Sequence, residues 1–283
     1  MTKLLIVGAG YTGLAVARAA VAREMAVAVT SRGAPVLPDG VLLVPFADAA
    51  AVVLAATHLV VTAPPGEVGD PVLAAYGAAV RAASCATVYL STTGVYGDRD
   101  GAWVDEDTPP APVAARSVRR RAAELAWEAA VAGRPLDVLR LAGIYGPGRS
   151  ALDDVRAGRA RCVVKPGHAF GRIHRDDVAA AVLAAMARPP VGVRVLHGVD
   201  DEPAESADVT RAAARLLGVP APPEIEFSVA WAGMSDMARS FWAENRKVSA
   251  NKTKAALGIR WRYPSYREGL AAILAEERGE RPD

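Results

Sequence analysis

Cysteine is nearly absent, with Cys85 and Cys162 the only two among 283 residues. Their placement gives no pairing pattern and no metal-ligand spacing, which argues against a disulfide framework and fits a reducing cytoplasm. His58, His168 and His197 also lie at no metal-binding spacing, so no metal is expected. Net charge is small, at +2. That leaves no electrostatic footprint for nucleic acid or for a membrane surface. No apolar run approaches the ~20 residues that span a bilayer. The first apolar run yields only about five residues before a glycine turn, too few for the core of a signal peptide. Internal repeats and low-complexity linkers are lacking too. What the chain has is apolar mass. Hydrophobic residues make up 52% of it, ample for one large domain or for one plus a small lobe.

The chain is organised around its opening stretch. Lys3 to Val7 (KLLIV) is a short apolar run, Gly8-Ala9-Gly10-Tyr11-Thr12-Gly13 follows at once, and a helical pattern begins at Leu14. Strand, G-x-G-x-x-G and helix in that order is the context in which the motif means dinucleotide binding. Gly8 permits the tight turn, Gly10 lets backbone approach a pyrophosphate, and Gly13 lets the helix pack close to the strand. Tyr11 and Thr12 sit inside the turn, where the helix N-terminus offers N–H groups to phosphate. Ala26 to Thr30 is a second strand, and Ser31-Arg32 stands where it ends. In a dinucleotide fold this end faces the adenosine ribose. An acidic residue there suits the 2′-hydroxyl of NAD, an arginine the 2′-phosphate of NADP. No Asp or Glu occurs between Glu24 and Asp39. The expected cofactor is therefore NADP in preference to NAD, with Arg32 offering a two-pronged donor to phosphate.

Further strands are predicted at Val41 to Pro45, His58 to Ala63, Thr87 to Leu90, Leu136 to Leu141 and Val193 to His197. Helices are predicted at Ala47 to Ala56, Asp70 to Ala83, Arg116 to Ala132 and Val178 to Met186, the last capped by Asp176 or Asp177. Ala63 and Pro64 stand where the His58 to Ala63 strand gives way to a loop expected over the adenine side of the cofactor. Asp98 to Pro112 reads as a polar, acidic loop with five carboxylates, and Ala142 to Arg149 as a turn-rich loop. This alternation predicts an α/β fold, a doubly wound parallel sheet of Rossmann type. A small C-terminal substrate lobe follows, with helices at Ala207 to Leu217, Lys252 to Leu257 and Tyr266 to Glu277. Residues 1–148 form mainly the dinucleotide-binding domain, and about 173–200 return to it. Residues 149–172 and 201–283 form mainly the lobe. Trp231, Phe241 and Trp242 either line its pocket or make its own core.

Four ordered segments carry a family resemblance: the opening glycines, Ser91-Thr92-Thr93-Gly94-Val95-Tyr96-Gly97, Arg140-Leu141-Ala142-Gly143-Ile144-Tyr145-Gly146-Pro147-Gly148, and Ile173-His174-Arg175-Asp176-Asp177-Val178-Ala179. The chain resembles an extended short-chain dehydrogenase/reductase of the NAD-dependent epimerase/dehydratase type over nearly its whole length. The resemblance implies a Ser or Thr that hydrogen-bonds the substrate oxygen (Thr92, with Ser91 beside it), a Tyr that transfers a proton, and a Lys four residues later that holds the ribose. It also implies Tyr145 beside the cofactor, and pairing as a homodimer through the helices at Asp70 to Ala83 and Arg116 to Ala132.

The Tyr-x-x-x-Lys is missing. Aligning the family's Ala-Glu on Ala123-Glu124 puts Arg116 at the Tyr position and Arg120 at the Lys position, and no tyrosine occurs between Tyr96 and Tyr145. Arg120 still has charge and donors for ribose or phosphate. Arg116 neither gives nor takes a proton near neutrality, although it suits an anion or a polarised carbonyl. A proton would come from Tyr96, Tyr145, Asp98 or His174. Two classes of function follow. One is a cytoplasmic, NADP-dependent oxidoreductase or nucleotide-sugar epimerase/dehydratase, acting on a small molecule that is phosphorylated or nucleotide-linked, with Arg149, Arg172 and His174 near it. The other is a dinucleotide-binding sensor that has lost its chemistry.

Overall fold

The computed structural model describes residues 3–280. Its first half runs β1 (Lys3–Val7), α1 (Tyr11–Val21), β2 (Ala26–Ser31), β3 (Val41–Pro45), α2 (Ala50–Ala55), β4 (His58–Val61), α3 (Pro71–Ala82), β5 (Ala86–Thr92), β6 (Trp103–Val104), α4 (Ala115–Val131) and β7 (Leu136–Leu141). Then come β8 (Gly143–Tyr145), α5 (Ala151–Arg156), β9 (Cys162–Val164), β10 (Arg172–His174), α6 (Arg175–Ala187), β11 (Val193–Gly198) and α7 (Ser206–Leu217). The last stretch carries β12 (Glu224–Glu226), α8 (Phe227–Ala232), α9 (Asp236–Trp242), β13 (Lys247–Val248), α10 (Asn251–Leu257) and α11 (Tyr266–Glu277). No helix among the described residues is long and apolar enough to cross a membrane.

Seven strands form one parallel sheet in the order β11-β7-β5-β4-β1-β2-β3. The chain leaves β1 toward one edge and returns to β4 on its other side, a doubly wound topology with its switch point between those two strands. Strand side chains alternate between two buried faces. Leu4 and Ile6 join the core under α1 and α6, while Leu5 and Val7 join the core under α2, α3 and α4. A third core, around Leu152, Ala213, Tyr266, Leu270 and Ile273, unites α5, α7 and α11.

Local chemistry sets several boundaries. Asp70 caps α3, accepting from Val72 N at 2.9 Å and Leu73 N at 3.1 Å, with Pro71 in the first turn. Its second oxygen accepts from Trp127 Nε1 at 3.0 Å, so the cap also fastens α4. Helix α1 begins at Tyr11, three residues before the expected Leu14, because Gly10 is its N-cap. The stretch expected as loop from Ala142 contains strand β8, paired with β10. The expected caps of α6 are corrected: His174 caps it, its Nδ1 accepting from Asp176 N at 3.2 Å. Asp177 is buried and turns the other way, accepting from Arg262 N at 2.7 Å and Tyr263 N at 3.0 Å.

The acidic loop after β5 is a strap. Asp98 accepts from Asn245 N at 2.8 Å, Asp105 from Lys252 Nζ at 2.5 Å, and Glu106 from Thr253 N at 2.9 Å. These bonds and the β6–β13 pairing bring residues 238–248 over the carboxyl ends of β5 and β7.

Candidate active site

A cleft of about 690 Å³ opens at those carboxyl ends, and Thr12, Thr62, Thr92, Arg116, Arg120, Tyr145, Arg149 and Phe241 are among the residues that line it. It lies beside the switch point, where open α/β sheets bind ligands.

The glycine turn fits a dinucleotide. Gly8 has φ +117°, and a side chain on it would strike Thr62. A Cβ on Gly13 would strike the Gly8 carbonyl, so α1 can sit this close only on a glycine. Gly10 faces open space, and no side chain caps α1. The first-turn N–H groups of an uncapped helix beside an open glycine are the cradle that a pyrophosphate fits. Tyr11 closes one side of this turn, its hydroxyl donating to Pro147 O at 3.2 Å under Arg175, whose guanidinium lies 5.1 Å from the ring centre. At the end of β2, Ser31 Oγ accepts from Gly33 N at 3.1 Å, and Arg32 is exposed beside it. Ala63 is half-buried and Pro64 exposed on the loop after β4.

On the substrate side, Thr92 ends β5 half-buried in the cleft wall, its Oγ1 accepting from Gly94 N at 3.1 Å. That bond uses a lone pair and leaves the hydroxyl hydrogen for a ligand. Arg120 lines the cleft and donates to the Leu90 carbonyl. Arg116 stands one helical turn before it, 3.7 Å above the Phe241 ring, with Nη1 donating to Ser240 Oγ at 2.6 Å.

Three expected site residues are committed elsewhere. Ser91 is buried and donates to Glu124 Oε1 at 2.5 Å. Tyr96 does not reach the cleft as a proton donor should. It is fully buried, its hydroxyl 2.5 Å from His197 Nε2 and 2.7 Å from Arg140 Nη1. Burial pushes its pKa up, against the pull of Arg140. Tyr145 forms cleft wall with its ring, but its hydroxyl donates to Ser265 O at 3.3 Å, and burial raises its pKa as well. Of the other two candidate donors, Asp98 belongs to the strap, and His174 is buried as a helix cap whose pKa burial pushes down to about 4.

Phe170, Glu244 and Arg246 line the cleft without any sequence motif to mark them. Arg246 Nη1 donates to Glu244 Oε2 at 2.7 Å and to Gly97 O at 2.8 Å. Of the lobe aromatics, Phe241 and Trp242 face the cleft, whereas Trp231 packs on Phe227, 5.4 Å between ring centres.

No protein-family model matches the chain. A functionally unknown conserved protein from Silicibacter pomeroyi DSS has a solved structure similar to this one, with a TM-score of 0.88 and 42% identity over 98% of this chain and 99% of that one. The human epimerase family protein SDR39U1, solved with NADPH, shares the fold at a TM-score of 0.76, 22% identical over 96% of this chain and 99% of that one. Among curated proteins, a 3-diazoavenalumate denitrifying reductase from a Streptomyces species is 32% identical over 59% of this chain and 58% of that protein. The chain thus spans little more than half the length of that curated relative. The glycine turn at the head of a doubly wound sheet and the likeness to these structures give the chain the fold that the epimerase family protein shares, and Arg116 and Arg120 stand one helical turn apart in its cleft.

Proposed function

We propose that the chain is an NADP-dependent reductase that delivers hydride to a small molecule without a tyrosine acid. One observation carries this reading: Arg116, which the motif alignment sets at the tyrosine's position, lines the cleft while Tyr96 is sealed in the core. The glycine turn and α1 would hold the pyrophosphate, Arg32 the 2′-phosphate and Arg120 the nicotinamide ribose. NADPH, when bound there, supplies a hydride at nicotinamide C4. Thr92 orients the acceptor by donating its free hydroxyl hydrogen. Arg116 stabilises negative charge without moving a proton, since a guanidinium stays protonated in proteins.

The same chemistry argues against epimerisation and dehydration. Both begin by taking a proton from a sugar hydroxyl, and Tyr145, the tyrosine that lines the cleft among the described residues, spends its own hydroxyl on Ser265 O. A reduction in which carbon gains hydride and expels a neutral leaving group needs no protein acid. For an aryl diazonium, a C–H bond forms, the C–N bond breaks and N2 departs with the bonding pair. The name of the Streptomyces relative, a denitrifying reductase of a diazo compound, supports this class.

The test follows NADPH consumption with aryl diazo compounds, carbonyl compounds and nucleotide sugars, using NADPH deuterated at nicotinamide C4. Reductase activity predicts deuterium on the product carbon and a turnover that Thr92→Val lowers by about tenfold to a hundredfold. Firm NADP binding with no transfer to any acceptor would replace the reductase by a redox-sensing regulator.

A further inference from the structure

The cleft carries an unbalanced charge. Arg116, Arg120, Arg149, Arg172 and Arg246 line it, against the single carboxylate of Glu244. One oxygen of that carboxylate is taken by Arg246, and the other has no hydrogen-bond partner among the described residues. Glu244 also lies within electrostatic reach of Arg116, and Asp200 of Arg172, but the direct contacts of Arg116, Arg120 and Arg149 are with neutral groups. Arg120 donates to a backbone carbonyl, Arg149 lies 5.7 Å from the Tyr11 ring centre, and Arg116 lies on Phe241.

Arg116 is the best prepared of these. The stack on Phe241 fixes the plane of the guanidinium, and the bond to Ser240 holds one edge. Of five N–H donors, that bond uses one, so a fork remains for an anion, and a planar fork matches a carboxylate bidentately. Phe241 is 53% exposed, on a helix that buries none of its residues. Such a ring is poorly placed as core and well placed as a platform. The adjoining wall is aromatic too: Trp242 and Phe170 meet edge to face at 4.9 Å, and both line the cleft. Flat apolar walls beside a fixed fork favour a flat ligand with one anionic end.

We propose that Arg116, set by Phe241 and Ser240, is the carboxylate-binding residue of the cleft, and that the substrate is a planar aryl or conjugated carboxylate whose ring lies against Trp242 and Phe170. This names the substrate class of the reductase and rests on that reading only in taking the bound molecule to be a substrate. A phosphate-bearing ligand would instead draw on Arg120, Arg149 and Arg172, and would depend little on the Phe241 platform.

The experiment is an equilibrium titration of the whole chain, saturated with NADP+, followed by tryptophan fluorescence, with cinnamate, cinnamamide and UMP as probes. Cinnamate should bind at least about tenfold more tightly than its neutral amide. Arg116→Gln should weaken cinnamate by about tenfold to a hundredfold and leave cinnamamide and NADP+ affinities unmoved, the latter showing that the variant is folded. Arg116→Lys should restore only part of the loss, because an ammonium lacks the fork. Equal binding of acid and amide, an unchanged Arg116→Gln affinity, or UMP outcompeting cinnamate would each overturn the assignment. The two readings fail separately. Cinnamate binding that depends on Arg116, without hydride transfer to any acceptor, removes the reductase alone. Hydride transfer with no Arg116-dependent cinnamate binding removes the carboxylate site alone.

Discussion

The Tyr96 hydroxyl donates to His197 Nε2 across 2.5 Å, because the other ring nitrogen of His197 already gives its hydrogen to Ser249 O at 2.7 Å. Arg140 donates to the same hydroxyl at 2.7 Å and holds Glu124 with its other nitrogens, at 3.1 and 2.9 Å. The tyrosine of the V-Y-G segment thus belongs to a buried polar chain rather than to the cleft. Tyr96→Phe should therefore leave turnover within about twofold and lower stability by about 1–3 kcal/mol, the cost of stranding two buried partners. Steady-state kinetics and denaturant unfolding check this pair of outcomes. A large loss of turnover at unchanged stability would return Tyr96 to the catalytic set.

Two glycines of the turn should fail in different ways. Gly10→Ala adds a methyl to open space, so the chain should fold normally and lose NADP affinity, read by calorimetry. Gly13→Ala drives a methyl into the Gly8 carbonyl, so it should cost about 1–3 kcal/mol or more of stability before any ligand is added. Equal folding defects in both variants would refute this division.

Cofactor choice should follow the end of β2. Arg32→Asp replaces a phosphate donor by an acceptor for ribose hydroxyls, and the ratio of NADP to NAD affinity should fall by about a hundredfold. Dissociation constants for both cofactors measure it. An unchanged ratio would take Arg32 out of the site.

Stability should depend on His174 in acid. Burial holds its pKa at about 4, below the ~6.5 of an unfolded histidine, so the unfolded chain takes up the proton first. A depressed histidine contributes stability in full above the unfolded value and loses it as pH falls toward the folded one, at about 1.4 kcal/mol per pH unit. His174→Asn retains a capping acceptor for Asp176 N and removes the titration. The gap between wild type and variant in urea unfolding should therefore narrow by roughly 2 kcal/mol between about pH 7.5 and about pH 5. A constant gap would mean that His174 is protonated in the fold.

Strong local patterns were legible in the sequence. Leu136–Leu141 and Tyr266–Glu277 have the boundaries that their apolar runs predict, and the glycine spacing located the tight turn between β1 and α1. Short strands such as β9 and β12 were not, since three residues carry no period and exist only through pairing with each other. The fate of Tyr96 was equally hidden, for its partners lie 44 and 101 residues away. The platform under Arg116 shows the same limit. Phe241 could be named as an aromatic in the lobe, but nothing near it in sequence says which arginine it carries.

The strap from Asp98 to Glu106 has a consequence for how the cleft comes into being. Its anchors, Asn245, Lys252 and Thr253, lie about 147 residues downstream. During synthesis from the N-terminus, the glycine turn and all seven sheet strands emerge before them. The loop after β5 and the platform for Arg116 stay unfastened until residues 238–253 leave the ribosome. The nascent chain thus completes its sheet strands before the residues that finish this side of the cleft are made, and the interval between those two events is set by the length of chain between them.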